Sequence, residues 1–166
     1  MPKLEGEMQL PPDEGCFVCG TANDGRIDTA YYWHQESGVL RAEIVLGIKA
    51  KGPPGHVHGG ALAAVLDELM GTAAWLSGHT VLAGNINVNF RHMAPLERHY
   101  DATAQIDRVD GRKVFARGEM RNEEGTVVAD STGLFIMIDP AKIGLGDPEA
   151  YKQRREAYMA RMRGWG

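Results

Sequence analysis

Two cysteines in 166 residues are too few for a disulfide scaffold. No apolar run approaches the roughly 18 residues a membrane span needs. The opening stretch, MPKLEGEMQLPPDEG, lacks the basic and apolar segments of a secretory signal. These three features lead us to expect a cytoplasmic, reduced protein that neither crosses nor anchors in a membrane. A basic excess is missing too: 18 Lys and Arg stand against 22 Asp and Glu, a formal net charge of −4. That gives no case for nucleic-acid binding, although a local Arg/Lys cluster could still meet an anionic small molecule. Internal repeats and low-complexity segments are also absent. What is present, 43% hydrophobic and 24% charged residues, suits one compact domain with a real core.

Along the chain, residues 1–26 are rich in Pro, Gly and acids and read as an irregular lead-in. Residues 28–47, DTAYYWHQESGVLRAEIVLG, alternate like two strands joined at ESG. KAKGPPG then breaks the pattern. A helix follows to about Ser77 and is closed by Gly78. TVLAGNINVNFRHMAPL, HYDATAQIDRVDG, RKVFARGEMRNEEG and TVVADSTGLFIMID are four further strand-like runs separated by turn residues. From Asp147 as N-cap and Pro148 as first residue, a last helix carries Tyr151, Tyr158 and Met162 on one stripe. Packing on the body of the protein or on a partner subunit explains that stripe; docking to a membrane or an acidic partner is the alternative. The organisation is therefore a lead-in (1–26), an α+β domain with an antiparallel sheet wrapped around a long helix (27–140), and a helical extension (141–166).

The central helix holds two adjacent carboxylates, Asp67 and Glu68, among Ala, Leu, Gly, Val and Met. At about 100° per residue, Leu62, Val65, Leu66, Leu69, Ala73 and Leu76 form the core stripe. Asp67 points away from it, amid Gly60, Ala63, Ala64, Gly71 and Ala74. Such a face of small residues admits a ligand or another backbone, so Asp67 sits in a poorly solvated groove where burial raises a carboxyl pKa. The alternative is an acid paired to an Arg or capping a loop. Glu68, near Thr72 and Trp75, reads as structural. At the helix start, His58-Gly59-Gly60 presents N–H groups that no intrahelical carbonyl can satisfy, which suits stabilisation of a developing oxyanion. Asp67 lies nine positions beyond His58, about 13 Å along the axis. One carbonyl cannot touch both, but two helices side by side across a two-fold axis would bring one chain's Asp67 to the other's Gly59.

GPPGHVHGGALAAVLDE, supported by CFVCGTANDGRID, NINVNFRHMAPL and GRKVFARGEMRNEEGTVVADSTGLFIM, resembles hotdog-fold acyl-CoA thioesterases, in particular the PaaI-like branch of the 4-hydroxybenzoyl-CoA thioesterase superfamily. The resemblance spans about residues 16–139 and implies a sheet-wrapped helix, a homodimer or dimer of dimers with composite sites, and hydrolysis of an acyl-CoA without a cofactor or metal. It casts Gly59 N–H as oxyanion donor, His58 as an orienting group and Asp67 of the other subunit as general base or nucleophile. Two departures stand out: Ala83 where many relatives place Ser or Thr, and Gly52 where some carry Asn or Gln. His56 is a candidate to replace a missing polar group.

Strict alternation in AGNINVNFRH would put Ala83, Asn85, Asn87, Asn89 and Arg91 on one face. The Asn row could meet pantetheine amides or a subunit interface, with Gly60 as a close-approach position for the substrate. Arg91, Lys113 and Arg117 are candidates for the CoA phosphates. Three rival readings remain: zinc held by Cys16, Cys19, His56 and His58; a hotdog hydratase or dehydratase; and an acyl-CoA-binding or regulatory module without turnover.

Overall fold

The computed structural model describes residues 3–13, 15–20, 25–144 and 146–163; the remainder of the expected lead-in and extension lies outside the described residues. The elements are β1 (Met8–Gln9), β2 (Ile27–His34), β3 (Val39–Leu46), a 3-10 turn (Ile48–Ala50), α1 (Gly59–Leu76), β4 (Val81–Phe90), β5 (His99–Asp110), β6 (Lys113–Asn122), β7 (Val127–Met137), a second 3-10 turn (Pro140–Ile143) and α2 (Pro148–Arg163). All seven strands join one antiparallel sheet in the order β1-β2-β3-β5-β6-β7-β4. β1, a two-residue strand at the sheet edge, was not foreseen: Met8 and Gln9 pair with Trp33 and Tyr32. Two residues carry no readable period.

α1 packs against one face of this sheet, touching β3, β4, β5, β6 and β7. Leu62, Val65, Leu66, Leu69, Ala73 and Leu76 are buried as the stripe requires, and Met70 joins them. Ala74, placed on the small-residue face by angle, is fully buried as well. The chain reverses there on its way into β4, with the His79 N–H closing on the Ala74 carbonyl at 3.0 Å. Close approach of helix and sheet depends on Gly133, where an added Cβ would lie 2.5 Å from the Phe135 ring and 3.2 Å from the Met70 methyl.

The helix ends follow local chemistry. His58 is the N-cap, its Nδ1 accepting from the Gly60 N–H at 2.8 Å. Ser77 caps the C-terminus, and Gly78 adopts φ +101°, a left-handed conformation natural to glycine after a helix. Asp147 caps α2, its Oδ1 accepting from the Glu149 N–H at 3.3 Å. α2 docks through Tyr158, whose hydroxyl donates to the Pro11 carbonyl at 2.6 Å and whose ring meets Trp75 edge-on at 5.3 Å. Met162 is buried on the same stripe. No helix among the described residues is long and apolar enough to cross a membrane.

Candidate active site

Asp67 is half-buried on α1 and lines a cavity of about 580 Å³, together with Glu68, Gly71, Ala83 and Phe135. The lead-in, Tyr31 of β2 and Tyr158 of α2 close its far side. Burial first, and the neighbouring Glu68 charge second, push the Asp67 pKa up. Among the described residues, no hydrogen bond or ion pair engages this carboxylate. A structural acid would be expected to have recruited an Arg or a backbone N–H in such a setting. The small-residue face thus leaves a partly desolvated carboxylate aimed at open space.

At the other end of α1, the Gly60 N–H is already committed to His58 Nδ1. Gly60 therefore offers no donor to a ligand, whereas the Gly59 N–H has no partner among the described residues. Because His58 Nδ1 accepts, the proton of the neutral imidazole resides on Nε2, and the exposed ring presents that N–H outward. The Cβ position of Gly59 lies 3.2 Å from the Phe90 ring. At the expected spacing along one helix, Gly59 and Asp67 cannot serve one carbonyl.

β4 departs from simple alternation. Ala83 pairs with Phe135 and Asn85 with Leu134, leaving Gly84 as the extra residue of a bulge. Paired residues share a face, so the bulge puts Ala83 on the helix side with Phe135, while Asn85, Asn87 and Asn89 lie on the outer side with Leu134, Thr132 and Asp130. The Asn row and Ala83 thus face opposite ways, and none of the three Asn lines the Asp67 cavity. Asn89 donates to Asp130 at 2.8 Å, and Arg91 pairs with the same carboxylate. Arg117 pairs with Asp107; Lys113 is exposed at the start of β6. The Arg91 charge is thus partly neutralised before any phosphate arrives.

Two other positions have a steric explanation. A Cβ on Gly52 would stand 2.7 Å from the His58 Cα, so the loop packed behind the helix start has no room for Asn or Gln. His56 is taken up by its own turn, with Nδ1 2.8 Å from the Pro54 carbonyl. Neither His56 nor His58 groups with the cysteines. Instead Cys16 and Cys19 converge on Glu68, a juxtaposition that sequence spacing alone could not reveal.

The family model described as Thioesterase superfamily matches residues 54–129, from the loop before α1 into β7. Acyl-coenzyme A thioesterase THEM4 of Bos taurus is 38% identical over 93 residues, which are 55% of this chain and 38% of that protein. The mouse protein of the same name is 34% identical over 97 residues, or 42% of its length. The chain therefore spans less than half the length of either of these two relatives. A thioesterase superfamily protein of known crystal structure superposes with a TM-score of 0.62 at 31% identity, covering 66% of this chain and 53% of that one. The E. coli PaaI protein, at 20% identity, shares the fold with a TM-score of 0.60 over 68% of this chain and 79% of its own. The sheet-wrapped helix is common to these structures, so the chain has the hotdog fold, and over residues 54–129 its sequence is similar to the thioesterase superfamily.

Proposed function

We propose that the protein hydrolyses acyl-CoA thioesters to the free acid and CoA, at sites shared by two copies of the chain. The observation that carries this reading is the unpartnered, half-buried Asp67 carboxylate on a cavity wall; a binding module has no need of a desolvated acid there. The names of the THEM4 relatives point to the same substrate class, and the resemblance to the PaaI-like branch belongs to the same proposal, as does a cytoplasmic setting for the two free thiols.

The thioester carbonyl would accept a hydrogen bond from the Gly59 N–H of one subunit, backed by the positive end of the α1 dipole. Asp67 of the partner subunit would take a proton from water as the water oxygen adds to the carbonyl carbon. Collapse of the tetrahedral intermediate breaks the C–S bond, and the CoA sulfur leaves as thiolate. The alternative role for Asp67 is direct attack, giving an acyl anhydride that water then opens. His58, with its Nε2–H turned outward, would steady the thioester. β4 supplies the dimer contact: among the described residues only β7 pairs with it, leaving a ten-residue edge flanked by exposed Leu82 and Phe90. Long bare edges of this kind are covered in stable proteins.

The testing experiment is a panel of aliphatic and aromatic acyl-CoAs assayed for thiol release. Turnover on at least one class supports the reading. Tight CoA binding without turnover on any member would replace it with a binding module, and hydration of an enoyl-CoA would replace it with a hydratase. On the preferred substrate, Gly59→Pro should lower kcat by about 10²- to 10³-fold by deleting one oxyanion donor. Proline is at home at the first helical position. His58, at φ −69° and ψ 134°, already has the extended backbone that precedes proline. An unchanged circular dichroism spectrum separates donor loss from helix loss.

A further inference from the structure

Beside Asp67, where Cys19 and Glu68 line the same cavity, three potential ligands meet. Cys16 Sγ, Cys19 Sγ and a Glu68 oxygen all lie within 4.8 Å of one another. From this cluster we infer a zinc site that pins the N-terminal lead-in to α1, with Cys16, Cys19 and Glu68 as protein ligands and a fourth position open to the cavity.

The loop has the form of a metal knuckle. The Cys19 N–H donates to Cys16 Sγ at 3.3 Å, and the Gly20 N–H closes on the Cys16 carbonyl at 3.2 Å. Gly20 is dictated by that turn, because a Cβ there would sit 2.5 Å from the Cys16 carbonyl oxygen. Both sulfurs are thereby turned to the same side, toward the carboxylate. Tetrahedral zinc with ordinary bond lengths places sulfur and oxygen ligands about 3.5 Å apart and two sulfurs about 3.8 Å apart. Cys19 Sγ and Glu68 Oε1 are separated by 3.4 Å.

Further polar groups surround the cluster. Thr72 Oγ1 donates to Glu68 Oε1 at 3.3 Å, orienting the carboxylate as outer-shell partners of metal ligands do. Among the described residues the buried Tyr31 hydroxyl has no hydrogen-bond partner, and Tyr31, Cys19 and Glu68 all line the cavity. Burial foremost, and then the charges of Glu68, Cys19 and Cys16, disfavour ionisation of that phenol. A water on the fourth zinc position would give the Tyr31 hydroxyl a partner. Two sulfur donors with one carboxylate suit zinc better than magnesium or calcium, which prefer all-oxygen shells. On binding, each thiol gives its proton to water and becomes a thiolate; no electron is transferred.

The test uses the full chain, reduced with a phosphine, stripped with a chelator and titrated with zinc against a chromogenic indicator. The expected result is one zinc per chain. Bound zinc should slow alkylation of the two thiols, and cobalt in its place should give a near-ultraviolet sulfur-to-metal band. Cys16→Ser and Cys19→Ser should abolish uptake, and Thr72→Val should weaken it by about 10- to 100-fold. If the serine variants do not fold, zinc protection of the wild-type thiols still decides the matter. No saturable uptake by reduced protein, or uptake that leaves alkylation unchanged, would overturn the site. So would a Cys16–Cys19 disulfide forming in air in a chain that binds no zinc when reduced. None of these readouts involves thioester hydrolysis, so the zinc site and the proposed activity stand or fall separately.

Discussion

Asp67→Asn is expected to lower kcat on the preferred acyl-CoA by about 10²- to 10⁴-fold, the range ascribed to a positioned general base, while KM and the oligomeric state hold steady. Asn has nearly the same shape as Asp, and among the described residues no hydrogen bond or ion pair depends on the Asp67 charge, so the fold has no reason to change. What is lost is the capacity to take a proton from water or to attack carbon. Steady-state kinetics with sedimentation analysis check this. If Asp67→Asn retained wild-type kcat, the carboxylate would have no part in the chemistry and the proposed mechanism would fail. The neighbouring variant Glu68→Gln provides a contrast: Glu68 accepts from Cys19 and Thr72, so its replacement should leave far more activity than that of Asp67.

The largest stability effect is expected on the opposite side of the sheet. Arg41 of β3 is 2% exposed, and its guanidinium holds Glu7 through Nε to Oε1 at 3.0 Å and Nη2 to Oε2 at 3.1 Å. Nη1 reaches Glu43 at 3.0 Å and Asp101 at 3.6 Å, while the guanidinium carbon stands 4.3 Å from the Tyr32 ring centre. Glu7 is itself 5% exposed. Arg41→Met would leave that carboxylate buried with no counter-charge, a change that costs about 3–5 kcal/mol. The double variant Glu7→Leu/Arg41→Met should recover most of the loss, because apolar replacement of both partners removes the stranded charge. Urea unfolding of the two variants measures both numbers. A loss well below 1 kcal/mol in the single variant would mean that the lead-in detaches and Glu7 reaches water.

This buried pair also shows where sequence reading stops. β2, β3 and the four strands after α1 were legible because alternation and turn residues are local signals. The helix limits were legible from His58-Gly59-Gly60 at one end and Gly78 at the other. β1 was not, since two residues paired across the sheet edge leave no pattern. Neither Glu7 with Arg41 nor Glu68 with Cys16 and Cys19 could be read, because long intervals separate them and only the folded sheet brings them together. The bulge at Gly84 mattered most for the site: one extra residue reverses the facing of everything beyond it. Strict alternation therefore grouped Ala83 with Asn85, Asn87 and Asn89, whereas only Ala83 opens onto the Asp67 cavity. The half-buried place of Asp67 on the cavity wall was readable, because a single acid on a face of small residues departs from ordinary helix patterning.

The central claim is that one subunit contributes the acid and the other the oxyanion donor, and subunit mixing tests it most directly. Asp67→Asn and Gly59→Pro homodimers, each nearly inactive, would be combined under conditions that allow exchange, with heterodimer formation followed by differently sized tags. Every heterodimer would then hold one doubly damaged site and one intact site, so the mixture should regain about a quarter of wild-type activity. A mixture rich in heterodimers yet no more active than its two components would contradict the shared site.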